Sequence, residues 1–334
     1  MTDQRGAICG AATLVVKVGS SSLTLPGGGI DVRRVDDLVD ALSEVIAVGR
    51  RVVLVSSGAI ATGFPAMGIT HRPRTLAGKQ AAASVGQGIL LAHYASRFAS
   101  HGLRVGQVLL TVNDLVRPTS YRNAWSTLDT LLGLGVVPIV NENDTVATGE
   151  IRFGDNDRLA ALVAELVRAQ ALILLSDVDA LYTAHPDSPD ARRVEVVEDI
   201  DTLDVDTHKA GSGVGTGGMT TKLEAARMAT CAGVPVYSQR RWMPRTFWLV
   251  SPWYLLPPAG DATAPTVAVV GRRCHPAGTD RHRRRSCRSF DTASFLVVGG
   301  GCDSGTRGFP SRRPSDDPGL RRSSCWSRYR PVLP

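Results

Sequence analysis

Six short aliphatic runs recur through the first 237 residues: "TLVVKV" (13–18), "RVVLVSS" (51–57), "RVGQVLLT" (104–111), "VVPIVN" (136–141), "ALILLS" (171–176) and "GVPV" (233–236). They are apolar at nearly every position instead of alternating, the pattern of strands covered on both faces. Between the first two, Val35, Leu38, Val39, Leu42, Val45 and Ile46 fall at the i, i+3, i+4, i+7 spacing of a helix stripe. "RLAALVAELV" (158–167) and "TTKLEAARMATCA" (220–232) also read as helices. Strand, helix, strand repetition predicts an α/β fold with a parallel sheet between helical layers. No internal repeat is present.

After "AGVPV" this pattern ends. "YSQRRWMPRTFWLVSPWYLLPPAGD" and "HRRRSCRSF" sustain neither period, and prolines break most candidate elements. Charge divides at the same place. Residues 238–334 hold 17 arginines and six aspartates, a surplus of +11, and so leave −4 of the chain's net +7 on residues 1–237. The tail has no glutamate and no lysine, but four of the five tryptophans and 11 of the 19 prolines. Two domains of unlike composition are expected, 1–237 and 238–334. The second reads either as a basic, disordered appendix or as translation in an altered frame. Arg, Pro, Cys and Trp enrichment with abrupt loss of Glu favours the frame change. Its strand candidates are weak ones such as "PTVAVVG" (265–271) and "SFLVVGG" (294–300).

The N-terminus "MTDQRGAICG" lacks the basic and apolar regions of a secretory signal, and no apolar run approaches the roughly 20 residues that cross a bilayer, so a cytoplasmic protein is expected. Cysteines at 9, 231, 274, 287, 302 and 325 form no C-x-x-C pair and are read as free thiols.

Several polar motifs sit at the ends of the aliphatic runs. In "VVKVGSSSLT" (15–24) a lysine inside a strand precedes Gly19 and three serines, suited to anionic oxygens; Lys17 could equally snorkel from an edge strand. "VSSGAIATG" (55–63) places Ser56, Ser57 and Gly58 before a helix, as an anion-binding N-terminus or an ordinary serine cap. "VNENDTVATGE" (140–150) and "FGDNDRLAA" (153–161) crowd Asn141, Glu142, Asn143, Asp144, Asp155, Asn156 and Asp157 into 17 positions. Such side chains grip an ammonium or a metal-bound nucleotide, or form a solvated turn with Asp157 capping the helix from Arg158. In "GTGGMTTK" (215–222) glycines lead into a helix whose free N–H groups suit phosphate. A Rossmann reading fails because no clean strand feeds these glycines, and a Walker A reading fails because Lys222 lies inside the helix. With 34 arginines against four lysines in the chain, the ammonium of Lys222 reads as chosen for its compact shape and not for its sign alone.

Taken together and in this order, "KVGSSSLT", "SSGAIATG", "NENDTVAT", "FGDND", "LLSDVDALYT" and "GTGGMTTK" resemble the amino acid kinase family, and within it the branch acting on the glutamate side chain. Family members such as aspartokinases tend to carry Lys-x-Gly-Gly where this chain has the serines. The resemblance spans about residues 10–237, with one departure at His185, where aspartate is expected. It implies a three-layer αβα sandwich with a mainly parallel central sheet, lacking its final elements. It further implies transfer of the γ-phosphate of ATP, bound with Mg²⁺, to L-glutamate, the first step of proline biosynthesis. By matching position, Lys17 and Lys222 would be catalytic and Asp157 would orient them. Ser57, Asp144 and Asn156 would hold glutamate. Lys17, Ser176, Asp177, Thr216, Gly217, Gly218, Met219, Thr220, Thr221 and Lys222 would bind ATP, with no resident metal ligand. A homodimer or tetramer and feedback by proline are implied as well.

Physical chemistry agrees with that assignment, since a carboxylate nucleophile is already ionised at neutral pH and needs no general base. Three alternatives stay open: another carboxylate or carbamate kinase of the same fold, a kinase impaired by its tail, and an RNA-binding protein. For the last, runs such as "RHRRR" (281–285) predict indiscriminate attraction of polyanions before specific recognition, and the tail does not resemble the PUA domain that family members often carry.

Overall fold

In the computed structural model the residues described are 10–146, 156–176, 181–183, 188, 191–194, 196–197, 200, 219–240 and 266–269, the last as backbone. Every described residue belongs to one compact unit, within the bounds Met1–Arg281.

Ten strands are described: β1 Thr13–Val18, β2 Arg51–Val55, β3 Arg104–Leu110, β4 Val136–Glu142, β5 Ala171–Ser176, β6 Leu181–Tyr182, β7 Arg193–Val194, β8 Val196–Val197, β9 Val236–Arg240 and β10 Thr266–Val269. The helices are α1 Ser20–Leu23, α2 Val32–Ala47, α3 Ala59–Ala66, α4 Leu76–Ser100, α5 Val112–Val116, α6 Pro118–Gly133, α7 Asn156–Leu166 and α8 Met219–Cys231. Eight strands form one sheet in the order β3-β4-β2-β1-β5-β9-β10-β8, and β6 and β7 form a separate antiparallel pair. From β3 to β9 all neighbours are parallel; β10 is antiparallel to β9 and parallel to β8.

Alternation along the strands divides the core in two. Val15, Val53, Val55, Val140, Leu172 and Leu174 join Leu128 of α6, Leu159 of α7 and Ala225 of α8. Leu14, Val16, Leu54, Ile139 and Ile173 point the other way, onto Val39 of α2 and Tyr94 and Phe98 of α4. Two buried cores on opposite faces of a mainly parallel sheet make the expected three layers. Asp31 and Thr75 cap α2 and α4, their side chains accepting from Arg34 N at 3.3 Å and Gly78 N at 3.2 Å.

The structure refines the sequence reading at three places. α4, the longest described helix, and α6 carry no strong aliphatic stripe and are not foreseen. The run "GVPV" lies mostly ahead of β9, which begins at Val236, because Gly233 adopts φ 80° and turns the chain out of α8. Within the compositionally distinct tail, "PTVAVVG" supplies β10; "SFLVVGG" falls outside the described residues.

Candidate active site

Parallel sheets place loops for ligands at the carboxyl ends of their strands, above all where the strand order reverses. Here the reversal is at β1, which has β2 on one side and β5 on the other. The polar motifs gather at that end: Lys17 near the close of β1, Ser56 and Ser57 after β2, Asn141 and Glu142 at the end of β4, and Ser176 at the end of β5.

Lys17 does not snorkel from an edge. It pairs in register with Val55 of β2 and Leu174 of β5, and only 3% of its surface is exposed. The period of two that turns Val15 toward α7 and α8 also turns Lys17 there. Burying an ammonium costs several kcal/mol of lost hydration unless an opposite charge is at hand. Asp157 meets that need: it is fully buried in the first turn of α7, with Oδ1 2.5 Å from Lys17 Nζ. Its other oxygen, Oδ2, accepts from Lys222 Nζ at 3.2 Å. Lys222 is in the first turn of α8. One carboxylate thus ties together two ammonium groups from the middle of the sheet and the start of a helix. Asp157 is therefore an ion-pair partner inside α7 and not its cap, and the position of a cap residue lies outside the described residues.

The triad carries a net +1, and the amino ends of α7 and α8 add partial positive charge beside it. Gly19 leaves room there. A Cβ built on it would come 3.9 Å from Lys17 Nζ and 4.0 Å from Ser21 Oγ, with nothing nearer. Any atom seated on this side of Gly19 is in contact range of the ammonium.

A second polar cluster begins at the residue before Asp157. Asn156 Nδ2 donates to the Ser56 carbonyl at 2.6 Å, Asn141 Oδ1 at 2.8 Å and Ser57 Oγ at 2.9 Å. Asn141 Nδ2 donates to Gln87 Oε1 at 2.6 Å, and Asn141 Oδ1 also accepts from Glu142 N at 2.9 Å. Ser56 Oγ lies 3.0 Å from the hydroxyl of Tyr94, which is fully buried. That burial pushes the phenol well above its ordinary value, outweighing the opposite effect of the Ser56 hydrogen bond. Gly58, with φ 93°, makes the turn from Ser57 into α3 and stands at the cap position in place of a serine.

Among the residues singled out by sequence, Lys17, Asp157 and Lys222 meet directly, as do Asn156 and Ser57. Asp144 is half-buried two residues beyond β4, and Ser176 is buried. Met219 and Thr221 are half-buried and Thr220 is exposed in the first turn of α8. Asp177, Thr216, Gly217, Gly218 and His185 lie outside the described residues. Sequence reasoning missed Gln87 and Tyr94. The one available signal was their spacing of seven, which puts both on one face of a helix. Among the described residues no group of three or more His, Cys, Asp or Glu side chains is arranged to hold a metal ion, and no helix is long and apolar enough to cross a membrane.

A sequence profile described as the amino acid kinase family matches residues 12–237. The chain belongs to the amino acid kinase family. Curated proteins similar to this amino acid kinase include the glutamate 5-kinase of Bifidobacterium longum subsp. infantis, 59% identical over 235 residues, 70% of this chain and 62% of that protein. The glutamate 5-kinase of Streptomyces coelicolor is 59% identical over 238 residues, 71% of this chain and 64% of that protein. That of Salinispora arenicola is 61% identical over 234 residues, with 70% and 63% covered. The chain spans less than two thirds of the length of these relatives. Among solved structures, carbamate kinase from Giardia lamblia bound to AMP-PNP aligns at TM-score 0.54 and 14% identity, covering 79% of this chain and 99% of that one; at this identity the likeness bears on fold alone.

Proposed function

We propose that this amino acid kinase transfers the γ-phosphoryl group of ATP to the side-chain carboxylate of L-glutamate, making γ-glutamyl phosphate for proline biosynthesis. The observation that carries the reading is the Lys17–Asp157–Lys222 triad, its carboxylate and first amine buried and its second half-buried, beside a cluster of carboxamides and hydroxyls at the carboxyl ends of three strands. Its similarity to proteins named glutamate 5-kinase supports the choice of substrate. Residues 1–237 would form the catalytic domain, and 238–334 the appended tail.

In this reading a carboxylate oxygen attacks the γ-phosphorus, the bond from that phosphorus to the β,γ-bridging oxygen breaks, and ADP leaves with the electron pair. No proton moves, which fits a triad without a general base. Phosphoryl transfer depends mainly on alignment and on positive charge beside the transferring group. Lys17 and Lys222 supply that charge, and Asp157 holds both amines at one place. Mg²⁺, arriving with the nucleotide, would neutralise charge on its phosphates. Ser57, Asn156 and Asp144 would hold the amino acid, Asp144 as partner of its ammonium. Ser176, Asp177 and residues 216–222 would hold the nucleotide. The same reading carries a cytoplasmic homo-oligomer subject to proline feedback.

The test is an acceptor panel. Purified full-length protein with Mg·ATP should release ADP with glutamate and far less with N-acetylglutamate, aspartate or carbamate. Equal or better turnover with an acylated amine or with carbamate would replace glutamate as the substrate.

A further inference from the structure

The carboxamides beside the triad form a chain with a direction. Asn156 gives its amide hydrogens to Asn141 Oδ1, Ser56 O and Ser57 Oγ, and Asn141 gives one of its own to Gln87 Oε1 on α4. Nδ2 of Asn156 has two hydrogens for three acceptors and is spent inward. Its Oδ1 keeps no partner among the described residues, although Asn156 is 9% exposed. An acceptor is therefore what Asn156 has left for a ligand. This polarity depends on Asn141: with its carboxamide reversed, two NH₂ groups would face each other. Glu142 N forbids the reversal by requiring an oxygen, and Gln87 Oε1 secures the other end of the same carboxamide by accepting from Nδ2.

We propose that Gln87 is a positioning residue for the acceptor subsite: through Asn141 it holds the Asn156 carboxamide with its oxygen free for an ammonium or other N–H donor of the substrate. Gln87 is half-buried on α4, outside every motif that the sequence singles out. The identity of the substrate rests on the glutamate reading above, whereas the amide chain does not.

The test uses full-length protein labelled with ¹⁵N at asparagine, as wild type, Gln87→Met and Gln87→Glu. Methionine fills a similar volume without accepting well; glutamate keeps an acceptor at the same reach. Gln87→Met should shift or broaden the side-chain NH₂ signals of Asn141 and Asn156, and Gln87→Glu should restore them. The Met variant should raise KM for glutamate about tenfold, the loss of one well-placed hydrogen bond, and leave KM for ATP near wild type. A general packing defect would move both. Unchanged amide signals in a folded Met variant, or an equal rise in the two KM values, would overturn the proposal. If wild type does not phosphorylate glutamate, the substrate reading falls alone, because the amide signals still decide whether Gln87 holds Asn141. Gln87→Ser, too short to reach Asn141, gives the same comparison should the Met variant not fold.

Discussion

At the scale of single residues, the site turns on one carboxylate. Asp157 gives one oxygen to each of two amines, and it and Lys17 are almost wholly removed from water. Replacing it with an isosteric amide leaves one buried and one half-buried cation side by side without that counter-charge. Asp157→Asn should lower stability by about 3–5 kcal/mol, read from urea midpoints, and abolish turnover. A variant of wild-type stability would mean that the amines are hydrated and the triad is not a buried unit. Gly19 invites the opposite experiment. Its φ of −79° suits any residue, and a methyl group would meet nothing closer than 3.9 Å. Gly19→Ala should therefore melt like wild type yet bind ATP more weakly, because the methyl occupies the approach to Lys17. Unaltered nucleotide affinity would place the phosphates elsewhere.

At the scale of elements, the site depends on how closely α3 and α4 cross. A Cβ at Gly63 would lie 1.8 Å from the Ala82 carbonyl oxygen, and one at Gly86 1.8 Å from that of Ala59. The backbones touch, and the obstacles are main-chain atoms that cannot rotate aside. The amino end of α3 follows Ser57, and Gln87 comes directly after Gly86, so separating these helices disturbs the Asn156 cluster, the proposed acceptor side of the site. Gly86→Ala should cost at least the ~1–3 kcal/mol of overpacking and raise KM for glutamate more than for ATP. Thermal melts and paired KM measurements check this, and a neutral effect on both would refute the close crossing. The same crossing explains what the sequence conceals. Strands buried on both faces need aliphatic residues throughout, so β1, β2, β4 and β5 announce themselves. α4 packs through Ala82, Ala83 and Gly86, with Leu90, Tyr94 and Phe98 toward its end, and the small residues of its first half leave no aliphatic stripe to read. The polar motifs of the candidate site were legible because a lysine in an apolar strand, or an Asn-Asp cluster at a strand end, has little structural excuse. Gln87 was not, because a glutamine in an alanine-rich helix looks like a surface residue until its partner 54 positions away is known.

At the scale of the molecule, the site exists only when the whole sheet does. The residues that meet on Asp157 come from β1, α7 and α8, and the Asn156 cluster adds β4 and the turn after β2. Ligand binding therefore reports completion of the fold, since a ligand that binds only the native state raises stability by about 2.7 kcal/mol at 100 times its Kd. For a domain of roughly 200 residues that is about 5–10 °C of melting temperature. Charge distribution supplies a rival cause for such a shift: residues 238–334 carry +11 and attract any polyanion. The two causes differ in their response to salt and to the second substrate. Attraction to the tail should fade as the Debye length falls from about 10 Å at 0.1 M to 3 Å at 1 M, and tripolyphosphate should match ATP. A buried triad with a neighbouring acceptor subsite should prefer Mg·ATP to tripolyphosphate, keep most of the shift at moderate salt, and gain a further rise when glutamate is added. A shift that vanishes with salt and ignores glutamate would show that the polyanion is held by the tail and that the triad forms no working site in this chain.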